Sequence, residues 1–168
     1  MYCILNLLFD KDNLDNEIID ELLIFRRNLE IAILKLAVKK VVPMDIRNLR
    51  SHLKTFEEGT STGKPSTVAY GDEIIHKKIA EISKSRILSK IASSLWENLY
   101  YYQKFYFEKT ENSEVKFRGL KKVIDAMEIG NTNTAVKTME TILEYGDQEF
   151  IARVYYSKSE GGDSMANY

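Results

Sequence analysis

The sequence predicts an all-α fold, an antiparallel bundle of about six helices, and three observations carry that expectation. Apolar residues recur at three- and four-residue spacing in one segment after another, the period of a helical face. Only eight Gly and two Pro occur in 168 residues, too few turn-formers for a many-stranded sandwich. Apolar residues make up 44% and charged residues 29%, the balance of a chain that buries a core rather than staying disordered. One helical domain over residues 14–156 follows, with a linker-like segment at 1–13 and a polar, Gly-containing tail at 157–168 expected to be disordered.

The first helix is expected from about Leu14 to Val42. Ile18, Leu22, Phe25, Leu29, Ile33 and Leu36 form its inward stripe, acidic Glu17, Asp20 and Glu21 lie near its start, and Lys39 and Lys40 lie near its end. Pro43 interrupts it. A second helix over Met44–Glu58 turns Ile46, Leu49, Leu53 and Phe56 inward, and the stretch GTSTGKPST at 59–67 is expected to be a loop. The third helix, Val68–Ser83, carries Ile75, Ile79 and Ile82. The fourth, Arg86–Lys109, is apolar nearly all round, with Leu88, Ile91, Leu95, Leu99, Tyr102 and Tyr106 on one stripe and Trp96 on another, which predicts a central position. The fifth, Glu114–Ile129, offers Phe117, Leu120, Ile124 and Met127. Gly130 suits a left-handed closing residue and Asn131 the cap of a sixth helix over Thr132–Tyr155, which turns Ala135, Met139, Ile142, Gly146 and Phe150 inward.

Several function classes fall away on composition. Lys and Arg number 24 against 25 Asp and Glu, a formal net charge of −1, without the basic surplus that a phosphate-gripping surface needs. The one cysteine, Cys3, excludes a disulfide framework. No segment reaches the ~18 apolar residues of a membrane span, and the start lacks the marks of a secretory signal, so a cytoplasmic protein is expected. GTSTGK has one residue too few between its glycines for a phosphate loop, and no strand precedes it. No catalytic constellation stands out, so no enzyme is expected. Asp72 and His76, four apart, share a helix face and are weak metal candidates; an ordinary Asp–His pair is the simpler account. Ten tyrosines, clustered around 100–106, suggest a cavity with an apolar body and polar tips, since a buried phenol seeks a partner for its hydroxyl.

With the helices in order, the chain resembles the C-terminal effector-binding domain (FCD type) of GntR-family transcription regulators, in the FadR subfamily. LLIFRRNLEIAILKLAVKK resembles the family's L-L-x-x-R-x-x-L-E-x-x-x-x-x-L-A, and DEIIHKKIAEISKSRIL is similar to D-x-x-F-H-x-x-I-x-x-x-S-x-N-x-x-L. VIDAMEIGNTNTAVKTMETIL resembles A-I-x-x-G-D-x-x-x-A-x-x-x-M-x-x-H-L, and ILNLLFDKDN resembles the hinge to a DNA-reading domain. The likeness spans residues 4–155.

That resemblance implies a sensor whose metabolite alters the operator affinity of an attached winged helix-turn-helix domain. The chain begins at the hinge, so DNA is expected as a partner only through an N-terminal domain that this sequence does not include. A homodimer and a small-molecule effector are also implied. Metal-binding members hold a divalent ion with one Asp and three His; Asp72 and His76 match the first two, but Leu120 and Ile142 stand at the others, so no metal and no cofactor are expected. The fatty-acid-responsive branch binds long-chain acyl-CoA without a metal. LLIFRRNLE, YYQKFYFEKTENSEVKFRGLKKV and LEYGDQEF are similar to its segments, and this match implies that Arg26 meets an anionic group and that Tyr106 and Tyr145 donate hydrogen bonds. Glu149 stands where that branch has a serine. Leu95, Leu99, Tyr102, Leu120 and Ile142 are then expected to line an apolar slot for a hydrocarbon tail. A dimerisation module without ligand, or a metal-assisted carboxylate sensor, are the alternatives; a solid interior or a bound ion distinguishes them.

Overall fold

The computed structural model describes residues 16–159, without the side chains at 16–19, 97–102, 104, 105 and 153–159. Six helices follow one another: α1 (Asn16–Val38), α2 (Pro43–Ser61), α3 (Pro65–Ile82), α4 (Arg86–Tyr106), α5 (Thr110–Glu128) and α6 (Thr132–Ser159). The linker-like segment and most of the expected tail lie outside the described residues, while α6 runs past Tyr155 to Ser159. Among the described residues there is no strand, and no helix is long and apolar enough to cross a membrane.

Helices α2 and α3, α3 and α4, and α5 and α6 pair as hairpins across short connections. Pro43 and Pro65 open α2 and α3 at the first turn, where a missing N–H costs nothing. The carboxylate of Asp45 accepts the Val42 N–H at 3.3 Å, which fixes the entry to α2. The expected loop at 59–67 is mostly helix. Its hydroxyls bond back to the chain, Thr60 to the Phe56 carbonyl at 3.1 Å and Thr62 to the Glu58 carbonyl at 2.7 Å, so residues that favour turns here finish a helix. The turn is tight because α2 and α3 meet at glycines. A Cβ on Gly59 would stand 2.7 Å from the Val68 nitrogen, and one on Gly71 only 2.8 Å from the Phe56 Cα.

The end of α5 is closed as its sequence predicts. Gly130 has φ +70°, the Asn131 N–H returns to the Ala126 carbonyl at 2.8 Å, and the Asn131 side chain caps α6 by accepting from Thr134 at 3.0 Å. The other boundary of α5 differs from expectation. It begins at Thr110 rather than Glu114, because Asn112 turns inward and donates to the Tyr106 carbonyl at 2.8 Å, closing α4.

α1 takes a central position. α1 packs on α3, α4, α5 and α6, whereas α4 packs chiefly on α1, α3 and α6 and leaves Ile87 exposed. The buried side of α1 also departs from its apolar stripe. Phe25 is 44% exposed, while Leu22, Leu23, Leu29, Glu30, Ile33, Leu34 and Ala37 are buried, so a charged residue sits where the pattern placed only hydrocarbon.

Candidate functional site

Glu30 is the hub of a polar cluster at the middle of the bundle. α1 contributes Arg26 and Glu30, four apart and therefore on one face; α3 contributes Asp72 and His76 by the same spacing. α4 adds Trp96, Gln103 and Tyr106, α5 adds Lys116, and α6 adds Asp147. Arg26 Nε donates to Glu30 Oε1 at 2.8 Å and Trp96 Nε1 donates to the same oxygen at 3.2 Å. His76 bridges the two helices, with Nδ1 2.7 Å from Glu30 Oε2 and Nε2 3.4 Å from Asp72 Oδ1. Gln103 Nε2 donates to Asp72 Oδ2 at 3.4 Å, and Lys116 Nζ lies 3.5 Å from Asp72 Oδ1. Asp147 faces Arg26 at 3.8 Å and Arg27 at 3.1 Å.

Burial opposes every charge in this cluster, and opposite charges answer it. Burial by itself lowers the His76 imidazole, but Glu30 and then Asp72 outweigh it and hold the ring above its usual value. Burial raises the Glu30 carboxyl, yet His76 and Arg26 bring it well below the ordinary range. Asp72 is likewise lowered, its burial more than offset by Lys116 and His76. Asp147 goes the other way: burial raises it to about 6 in spite of Arg26 and Arg27.

Beside these charges lies a cavity of about 40 Å³. Arg26, Asp72, Gln103, Tyr106 and Lys116 form its polar side; Leu23, Phe107, Ile142, Leu143, Gly146 and Phe150 form the rest. The expected apolar slot is therefore a two-sided chamber. Of the residues singled out from sequence, Arg26, Tyr106 and Ile142 line it. Leu95 and Leu120 are wholly buried but pack elsewhere in the core. Tyr145 donates from its hydroxyl to Asn112 at 3.2 Å, and Glu149 pairs with Lys109 at 2.9 Å, both outside the lining. The side chains of Leu99 and Tyr102 lie outside the described residues.

A divalent metal does not suit this set. Both nitrogens of His76 face carboxylates, whose charge raises the ring's affinity for a proton and sets that proton in competition with a metal ion. Lys116 brings a fixed positive charge against Asp72, while Leu120 and Ile142 supply only hydrocarbon. Among the described residues no group of three or more His, Cys, Asp or Glu side chains is arranged to hold an ion.

Sequence reasoning missed Glu30, Gln103, Lys116 and Asp147. One signal was available for Lys116: it occupies the buried stripe of α5, one turn before Leu120, together with Asn112, Val123 and Met127. A lysine on such a stripe is exceptional, since lysine is almost never fully buried unless paired.

Residues 21–145 match the model of the FCD domain. The chain belongs to the FCD family. FCD domains are the regulatory, generally effector-binding domains of GntR-type transcription regulators, and the all-α architecture is theirs. Among solved structures, E. coli McbR/YncC is similar with a TM-score of 0.75 at 17% identity, over 83% of this chain and 70% of that one. A structure described by the words "Lar controls the expression of the Listeria monocytogenes agr system and mediates virulence" is similar with a TM-score of 0.71 at 12% identity, over 82% of this chain and 65% of that one. At such identities these likenesses speak to the fold. No curated protein sequence matches the chain.

Proposed function

We propose that this FCD domain is the sensor of a GntR-type regulator and responds to an apolar organic acid bound without a metal ion. The observation that carries this reading is the chamber itself: two cationic side chains, a phenol and an amide on one side, with a single carboxylate, Asp72, that faces Lys116, and hydrocarbon on the other, a lining that suits a carboxylic acid with a short apolar body. Its volume of about 40 Å³ is enough for a carboxylate-sized group, not for a long tail. A long-chain acyl-CoA, the effector suggested by the likeness to the fatty-acid-responsive branch, must therefore spread α1, α4 and α6 to enter. A shorter acid needs less movement, and the geometry favours it. Either way, displacement of helices around the chamber is the signal passed to an attached DNA-reading domain, and homodimerisation belongs to the same scheme.

The test is thermal melting of the chain against straight-chain carboxylates from two to twelve carbons and against a long-chain acyl-CoA. Saturation with a cognate ligand at a hundred times its dissociation constant stabilises by about 2.7 kcal/mol, a readily measured rise in the midpoint. A midpoint unmoved by every acid and by acyl-CoA defeats the reading.

A further inference from the structure

The chamber contains polar groups whose hydrogen-bonding capacity is not used. Tyr106 Oη and Gln103 Oε1 are buried and have no hydrogen-bond partner. The orientation of the Gln103 amide is fixed, because its nitrogen must face the Asp72 carboxylate, so the carbonyl oxygen is the free end. Lys116 is 4% exposed, and its ammonium has Asp72 as its ion-pair partner at the long distance of 3.5 Å. An ammonium carries three donors, and a buried one leaves capacity for a second anion. Arg26 faces two carboxylates, Glu30 at 2.8 Å through Nε and Asp147 at 3.8 Å, so its charge is matched more closely than that of Lys116. The chamber thus offers Lys116 and Tyr106 as donors and two oxygens without a hydrogen-bond partner as acceptors, Gln103 Oε1 and Asp72 Oδ1, the latter already facing Lys116 at 3.5 Å and His76 at 3.4 Å.

From this complementarity we infer that Lys116, not Arg26, receives the carboxylate of the effector, with Tyr106 donating a second hydrogen bond, and that Gln103 accepts from a donor carried on the carbon beside that carboxylate. The ligand class is a compact 2-hydroxy or 2-amino acid. The inference rests on the reading of the domain as an organic-acid sensor and adds to it the anchoring cation and the chemistry next to the acid group. Buried polar groups left unpaired are costly, so a site that offers an acceptor discriminates against an analogue lacking the matching donor.

Calorimetric titration with 2-hydroxybutyrate, 2-aminobutyrate and butyrate tests it. The wild-type chain is expected to bind one of the 2-substituted acids at least ~10-fold more tightly than butyrate. Lys116→Met is expected to weaken binding of all three acids by about 50-fold or more, since a charge-assisted contact is lost. Gln103→Met is expected to abolish the preference for the 2-substituent while leaving butyrate affinity near that of the wild type. Tyr106→Phe guards against a variant that merely misfolds: it removes an unsatisfied hydroxyl, so its melting temperature is expected to hold or rise while acid affinity falls about 10-fold. Acid affinity unchanged in both Lys116→Met and Tyr106→Phe overturns the assignment and leaves the sensor reading intact. Equal affinity of the wild type for butyrate and both 2-substituted acids overturns the role of Gln103. Failure of the wild type to bind any acid, here and in the melting series, overturns both.

Discussion

His76 stands between Glu30 and Asp72, and its position sets how the protein responds to pH. Its folded value is raised, so its contribution to stability is complete below the ordinary histidine range and is lost as pH rises through the folded value. Asp147, raised to about 6, also favours the acid side: the folded state binds its proton more tightly than the unfolded chain, and stability falls as pH climbs from about 4 to 6. Glu30 and Asp72 are lowered, so their contribution is present above the ordinary carboxylate range and is lost as pH falls below it. The melting temperature is therefore expected to peak near pH ~5, and scanning calorimetry from pH 3 to 9 checks this. Asp147→Asn is expected to flatten the decline between pH ~4 and 6; an unaltered profile refutes the account. Glu30→Gln leaves Arg26 and His76 with a neutral partner inside the bundle, and denaturant unfolding is expected to register a loss of about 3–5 kcal/mol.

At the scale of elements, the hairpins depend on close approach. Gly71→Ala sets a methyl against the Phe56 backbone, which cannot rotate away, so α2 and α3 must separate and unfolding experiments are expected to show a cost of about 2–3 kcal/mol. Gly63 also has positive φ, at +60°, but nothing lies near it; Gly63→Asn is expected to stay within roughly 0.5 kcal/mol of the wild type. Asn131→Ala, which removes the α6 cap, is expected to cost about 1 kcal/mol. The same elements show what the sequence could convey. Helix number, order and most inward faces were legible, because a 3.6-residue period and caps such as Gly130–Asn131 are local. The loop at 59–67 was misjudged because Ser and Thr serve turns and helix ends alike. The polar cluster was largely hidden. In a chain with 29% charged residues, Arg26 and Glu30 look like any solvent-facing i,i+4 pair, and only the packing of α3, α5 and α6 around them makes them interior.

For the whole molecule, near-balance of charge and an interior built around ion pairs point to sensing rather than to DNA contact. The chain alone, with a formal net charge of −1, is expected not to retard duplex DNA in an electrophoretic assay at moderate salt; retardation there refutes the division of labour. Lys116 gives the assembly one further property. Its positive charge is written into the polypeptide on four methylenes and is not borrowed from solution, so no chelator can strip it and scarcity of divalent ions leaves it in place. If the acid docks on Lys116 as proposed, the receptor is armed from the moment it is synthesised, and what it reports is the supply of its acid, uncoloured by the supply of divalent ions.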